Sequence, residues 1–184
     1  AWTALMADSI KEELGVEVSF INSANIRKVP KAGKLTQRDI QESAPMKNNL
    51  IKTRVTQKQM IEAIKNAAKA SMTSYEGYPG LIQGSGFTYK IDDKGNLLEF
   101  NIVDKQGQKT PININNPDDD ITYSAAYDTF MAQIDGETPE LAVKFDKEEF
   151  DFDKDKTTCD YLSKLDNKDN LVITYDNRIE IVET

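Results

Sequence analysis

The side chains best placed to do chemistry gather around one short turn. Val16-Glu17-Val18-Ser19-Phe20-Ile21 alternates like a strand and runs into Asn22-Ser23-Ala24-Asn25-Ile26-Arg27. Asn22 sets an amide, donor and acceptor in one group, where the strand ends. Arg27 follows five residues later with a guanidinium, whose planar fork can grip a hydroxyl or a phosphate oxygen. A strand end is a rigid platform, and the loop leaving it commonly carries ligand-binding groups. Both residues also have a structural reading. Asn22 could cap the turn, and Arg27 could pair with one of the 31 acidic residues. Asn48 carries the same two readings.

Other chemistries are excluded by what the chain lacks. It has no histidine, which removes the commonest general base and metal ligand and any Ser-His or Cys-His pair. The one cysteine, Cys159, can form neither an internal disulfide nor a Cys-type zinc site and reads as an inert thiol, buried or half-buried. Asp151-Phe152-Asp153-Lys154-Asp155 invites a calcium reading. An EF-hand would need Gly at its sixth position and Glu at its twelfth, where Lys156 and Leu162 stand. That run, like Asp118 to Asp120, reads as solvated. Gly77, Gly80, Gly84 and Gly86 do not make a P-loop, since no Gly-Lys-Ser/Thr follows. No catalytic residue and no metal ligand set emerges.

The elements that must position these residues follow from periodicity. Trp2, Leu5, Met6, Ile10 and Leu14 predict a helix ending at Gly15. Thr36 is an N-cap for a short helix that Pro45 ends. Leu50 to Val55 predicts a strand with Ile51, Thr53 and Val55 on one face. Thr56 and Gln59 frame a capping box, and Met60, Ile61, Ile64, Ala67, Ala68 and Met72 stripe the longest helix. Residues 73–86 read as loop. Phe87 to Ile91 and Leu97 to Val103 predict a hairpin, Pro111 to Ile114 a short edge strand, and Ile121 to Tyr127 another strand. Thr157 to Leu165 predicts a helix. Leu171 to Tyr175 and Arg178 to Val182 predict a hairpin about Asp176-Asn177. Interleaved helices with frequent hairpins give an α/β chain of the mixed α+β kind, with a mixed sheet and helices packed on its outside.

At 184 residues the chain has the size of one ordinary domain, and 39% hydrophobic with 29% charged residues suits a globular protein. The net charge of -8 argues against nucleic-acid polymers and anionic membranes as partners. No apolar run is long enough to insert in a bilayer. The chain opens without Met and is already helical at residue 2, as a piece of something longer would be. Its Lys- and Asn-rich composition points towards a bacterial source.

Motif order adds a resemblance. Leu5-Met6-Ala7-Asp8-Ser9-Ile10, the turn from Asn22 to Arg27, Leu35-Thr36 to Asp39, Pro45-Met46-Lys47-Asn48-Asn49-Leu50, Gly84-Ser85-Gly86, and Tyr127 to Gly136 occur in the order and spacing of the 5'-nucleotidase C-terminal domain, from about Leu5 to Gly136. The resemblance implies that fold, with layered mixed sheets, over residues 1–184. It implies that Asn22, Arg27, Met46, Asn48, Phe130 and Asp135 hold the nucleoside end of a nucleotide. Phe130 would stack on the base, opposite Met46 where the family has Phe, and Asp135 would meet the ribose. An ordinary core Phe is the other reading of Phe130. The family's glycine turn is here Ser23, Ala24 and Asn25, and its double glycine is shortened to Ile134-Asp135-Gly136. A further family Arg would lie upstream of Ala1.

By the same resemblance, catalysis belongs to an N-terminal metallophosphatase domain outside this chain. There two divalent metal ions would activate water for hydrolysis of nucleoside monophosphates or related esters. This chain needs no cofactor of its own and would have that domain as partner. Most relatives are exported or attached to the cell envelope. The alternative is a non-catalytic binding or interaction module on the same fold with a drifted pocket.

Overall fold

The computed structural model describes residues 1–74, 80–166 and 171–183. The chain begins with helix α1 (Trp2–Leu14), which stops where Gly15 turns left-handed at φ 64 and returns its N–H to Lys11. A helix end of this kind favours a residue without Cβ. Strand β1 (Val18–Asn22) leads into a single 3-10 turn (Ser23–Asn25), and helix α2 (Gln37–Ser43) opens on Thr36 with a complete capping box to Asp39. Strand β2 (Leu50–Thr56) flows into helix α3 (Gln57–Thr73), where Thr56 and Gln59 cap each other's backbone N–H. Both reciprocal boxes satisfy donors that the first helical turn otherwise leaves orphaned.

Strands β3 (Ile82–Ser85), β4 (Phe87–Asp92), β5 (Leu97–Val103), β6 (Lys109–Pro111) and β7 (Thr122–Asp128) follow. The chain then adds the two-residue strand β8 (Glu148–Glu149), helix α4 (Lys154–Ser163) and strand β9 (Ile179–Val182). They form a five-stranded sheet of order β3-β1-β7-β2-β8 and a four-stranded sheet of order β6-β5-β4-β9. Both are mixed: β1 runs parallel to β7, and β4 parallel to β9.

Two apolar cores sandwich the first sheet. Val18, Phe20, Ile51, Val55 and Tyr127 face one core, shared with α3 and the second sheet's Phe87, Tyr89 and Phe100. Ile21, Leu50 and Ala126 face the other, closed by Trp2, Met6 and Ile10 of α1 and Ile40 of α2. All five residues of β1 are therefore buried, and Ser19 stays satisfied by donating to the Ala7 carbonyl. Gly84 and Gly86 sit where strand meets strand. A Cβ on the first would strike the Ser19 carbonyl and the Phe87 ring, and one on the second the Glu17 carbonyl.

Four expectations change. The short edge strand lies at Lys109–Pro111; Ile112 N–H still donates to the Phe100 carbonyl at 2.9 Å, and residues 112 and 114 turn their isoleucines onto the core. The final hairpin does not form. Ile179–Val182 pairs in parallel with β4, which sets Ile179 and Ile181 opposite Tyr89 and Ile91, while Val172 and Tyr175 stay exposed. Asn177 still supplies the bend, at φ 59. Helix α4 starts at Lys154 rather than Thr157, capped by Asp153, so the acidic run is not uniformly solvated. Asp155 is 7% exposed and Lys154 3%. Of the loop expected over 73–86, residues 75–79 lie outside the described residues, and Ile82–Ser85 is strand rather than loop, because it pairs antiparallel with β1.

Candidate functional site

Strand register brings the candidate residues to one end of the first sheet. In the parallel pair β1–β7, Ser19 lies opposite Ala126, so the exits at Asn22 and Asp128 face the same way. Strand β2 runs against β7 with Leu50 opposite Asp128, so the segment entering β2 arrives at that end too. Backbone hydrogen bonds sew the three segments together. Arg27 N–H donates to the Ser43 carbonyl at 2.7 Å, tying the turn after β1 to the end of α2. Thr129 N–H donates to the Asn49 carbonyl at 2.9 Å, tying the exit of β7 to the Met46–Leu50 arm.

Asn22 is buried and spends both ends of its amide inside the protein. Its oxygen accepts from Ala24 N–H at 3.0 Å, and its nitrogen donates to Glu137 at 2.8 Å. The second bond fixes the loop after β7 to the end of β1. Arg27 is the reverse case. It is exposed, and its guanidinium makes no ion pair or hydrogen bond among the described residues, so the salt-bridge reading does not hold there. Phe130 is half-buried and stands outside both apolar cores. Met46 is 45% exposed, Asn48 half-buried, and Asp135 exposed on the loop that Asn22 anchors. Thus Asn22, Arg27, Met46, Asn48 and Phe130 share one end of the sheet. Asp135 reaches it through its loop alone, without a hydrogen bond to the other five among the described residues.

The sequence of residues 2–141 matches the 5'-nucleotidase, C-terminal domain family. The chain belongs to that family. Among solved structures it is similar to a 5'-nucleotidase precursor from Thermus thermophilus, at 20% identity and a TM-score of 0.77, covering 98% of this chain and 35% of that one. It is also similar to the NAD nucleotidase of Haemophilus influenzae, at 14% identity and 0.80, covering 100% and 33%. A sulfate thiohydrolase from Thermus thermophilus matches at 14% and 0.65, covering 98% and 32%. The chain thus spans about a third of the length of these structures. Identities this low show the fold alone. Comparison with curated protein sequences gives no match.

Beneath the site, this 5'-nucleotidase C-terminal domain buries three charges that motif reading missed. Asp128, at the end of β7, accepts from Met131 N–H at 2.9 Å and so shapes the turn that carries Phe130. Burial pushes its carboxyl up against that hydrogen bond and the pull of Lys154. Lys154 lies buried in the first turn of α4 and donates to the Met46 carbonyl at 3.2 Å. Asp155 has both carboxylate oxygens buried without a hydrogen-bond partner. Burial, and then the charge of Asp153, pushes it up to about 6, against the opposing pull of Lys154 and Lys47. Part of the signal was available: Asp153, which accepts from Asp155 N–H, is a helix N-cap residue two positions before it, but the burial of Lys154 and Asp155 comes from packing rather than from the cap.

The site's electrostatics suit a small ligand with oxygen acceptors at Arg27 and a flat ring at Phe130. Among the described residues no group of three or more acidic or thiol side chains is placed to hold a metal ion, and no helix is long and apolar enough to cross a membrane. A cavity of about 400 Å³ lies at the opposite end of β1, lined in part by Asp8, Ser85, Gly86, Tyr161 and Arg178.

Proposed function

We propose that this domain binds the nucleoside end of a nucleotide at the exits of β1 and β7 and presents the phosphate to a metallophosphatase domain of the same protein. The observation that carries the reading is an exposed Arg27, unpaired among the described residues and held on one surface with a half-exposed Phe130 and with Asn48. Phe130 stacks on the base, an interaction of about 1–3 kcal/mol that tolerates different bases. Met46 packs its thioether on the other face. Arg27 takes a hydroxyl or phosphate oxygen. Asp135 accepts from the ribose once its loop closes. Asn22 acts one step back, holding the turn and, through Glu137, that loop.

The reaction is hydrolysis of a nucleoside monophosphate or a related nucleotide ester to nucleoside and phosphate. The two divalent ions belong to the other domain, and no chemical step is assigned to this chain; it contributes position, which can supply a large part of a rate enhancement. A similar fold in an NAD nucleotidase supports a substrate range wider than monophosphates. A location outside the cytoplasm or at the envelope accords with this chemistry.

One observation favours a second reading. Both polar ends of Asn22 are already committed, as they would be in a binding or interaction module whose pocket has drifted, and a sulfate thiohydrolase shares the fold. Titration of the full-length protein with adenosine, followed calorimetrically, separates the two. Saturable binding weakened about tenfold or more in Phe130→Ala supports the nucleoside site. No binding at millimolar adenosine by the folded protein leaves the module.

A further inference from the structure

Helix α2 has seven residues, too few to be stable without tertiary support. Its last carbonyls have no partner within the helix. The one on Ser43 is taken by the turn after β1: Arg27 N–H donates to it at 2.7 Å and Lys28 N–H at 3.4 Å. The backbone that carries Arg27 is therefore set by where Ser43 stands. Ser43 is fully buried and is fixed in turn by its hydroxyl, which donates to the Ile40 carbonyl at 2.7 Å and accepts from the Trp2 indole N–H at 3.1 Å. The directions are unique, because an indole only donates and the one hydroxyl proton goes to Ile40. Trp2, at the start of α1, is buried as well. Among the described residues its indole makes the one hydrogen bond between α1 and α2. The rest of the junction is apolar: Trp2, Met6, Ile40 and Ala44, with Ile26 packed on them just before Arg27. Apolar contact is non-directional, so the indole bond is what fixes how α2 sits on α1.

We propose that Trp2 is a positioning residue for the ligand surface: its indole N–H locks Ser43 through the hydroxyl, and the Ser43 carbonyl holds the Arg27 backbone and so aims the guanidinium. Nothing else among the described residues aims it. The Arg27 side chain makes no ion pair or hydrogen bond there, so its direction is inherited from its backbone. The earlier part of the turn has its own anchors, since Ser23 bonds the Leu81 carbonyl through both N–H and hydroxyl and Ile26 N–H donates to Ser23. Those bonds stop one residue short of Arg27. Beyond it, Lys28 pairs with Glu42 at 3.4 Å, an exposed contact of little strength. Lys154 and Thr129 hold the Met46–Leu50 arm and do not touch the Arg27 turn. Ser43 also precedes that arm directly, through the buried Ala44 and Pro45. Without the indole donor the ring can still fill the core, but α2 is free to shift on an apolar contact, and Arg27 shifts with it.

The consequence for ligand rests on the nucleoside reading; the hold on Arg27 does not, and the experiment keeps them apart. Hydrogen exchange of the full chain by NMR, without ligand, reads the Arg27 amide directly. In wild type the Arg27 N–H and the Trp2 indole N–H are expected to open together, with the same dependence on denaturant. An Arg27 amide that opens independently of the indole overturns the proposal before any variant is made. Trp2→Phe keeps a ring in the core and removes the donor; Ser43→Ala removes the acceptor. Each should speed exchange at Arg27 by about fivefold or more relative to the buried Ile64 of α3, and the double variant no further. Equal acceleration at Arg27 and Ile64 would be a general loss of stability and overturns the proposal. Adenosine affinity should fall about fivefold in Trp2→Phe. Arg27→Ala and Arg27→Ala/Trp2→Phe should bind alike, since the indole acts through Arg27; an additive loss makes Trp2 an ordinary core residue. If adenosine fails to bind while Arg27 exchange still responds to Trp2→Phe, the nucleoside reading falls and the positioning role stands.

Discussion

The two ends of β1 treat their polar groups in opposite ways. At the entering end, Arg178 gives two nitrogens to Asp8 at 2.6 and 2.7 Å, a third to Asp176 at 2.7 Å, and further bonds to the Ala4 and Gly84 carbonyls. Ser85 completes the set by donating to Asp8 at 2.6 Å. At the leaving end, Arg27 has no partner, Asp155 has none, and Lys154 has one among the described residues. The first end contains a cavity, yet its strongest groups are already saturated with one another; at the second, Arg27 stands exposed while Lys154 and Asp155 lie buried. Satisfied polar networks fasten a fold, whereas groups held in place without partners are those available to a ligand or a switch.

Mutations can break that contrast or sharpen it. Arg178→Met should have the largest effect, lowering stability by about 3 kcal/mol, because Asp8 is left partly buried and unpaired. Denaturant unfolding measures it, and adenosine affinity should be unchanged. A loss of binding with stability intact would erase the distinction between the ends. Asp155→Asn should act with the opposite sign. Folding raises this carboxyl from 3.8 to about 6, so the folded state holds the proton more tightly than the unfolded chain. Stability linked to it is complete below the unfolded value and is lost as pH rises through the folded one. The variant should therefore be more stable than wild type by about 2 kcal/mol at pH 7, with no difference near pH 4. Equal unfolding midpoints at both pH values would show the carboxylate to be solvated.

Asn22→Ala should come next, at about 1 kcal/mol of stability. It removes the cap on Ala24 and the tether to Glu137, with ligand affinity falling in step because the loop carrying Asp135 is loosened. A full loss of affinity without loss of stability would instead make Asn22 a direct ligand contact. Arg27→Ala should be the smallest, leaving the unfolding curve within about 0.5 kcal/mol of wild type, as at any exposed and unpaired site. Its adenosine or nucleotide affinity should nonetheless drop, which makes it the sharpest test of an end that contributes function and little stability.

Much of the fold was legible in the chain because the signals were local. Gly15 as a helix stop, Thr36 and Thr56 as caps, the stripe from Met60 to Ala68 and the Phe87–Val103 hairpin each rest on neighbours within a few residues. The errors lie where the decisive partner is distant. Ile179–Val182 looks like half of a hairpin until β4, far upstream in the chain, supplies a parallel partner. Among the site residues, their types and order along the chain were readable, but their states were not. Arg27 and Arg178 look alike in sequence; among the described residues one makes no side-chain bond and the other is saturated, because Asp8 of α1 lies across from Arg178.

Residue types and short spacings were enough to set most of the helices and their caps, the Phe87–Val103 hairpin, the family and the absence of any histidine chemistry. Which charges are buried, which are paired and which remain open to a ligand was decided by tertiary structure alone. Asp151 and Asp155 belong to one acidic run, yet one faces water and the other is enclosed with Lys154 behind the Met46 arm. A carboxylate's properties are set by the dielectric and the charges around it, and those arrive from distant parts of the chain.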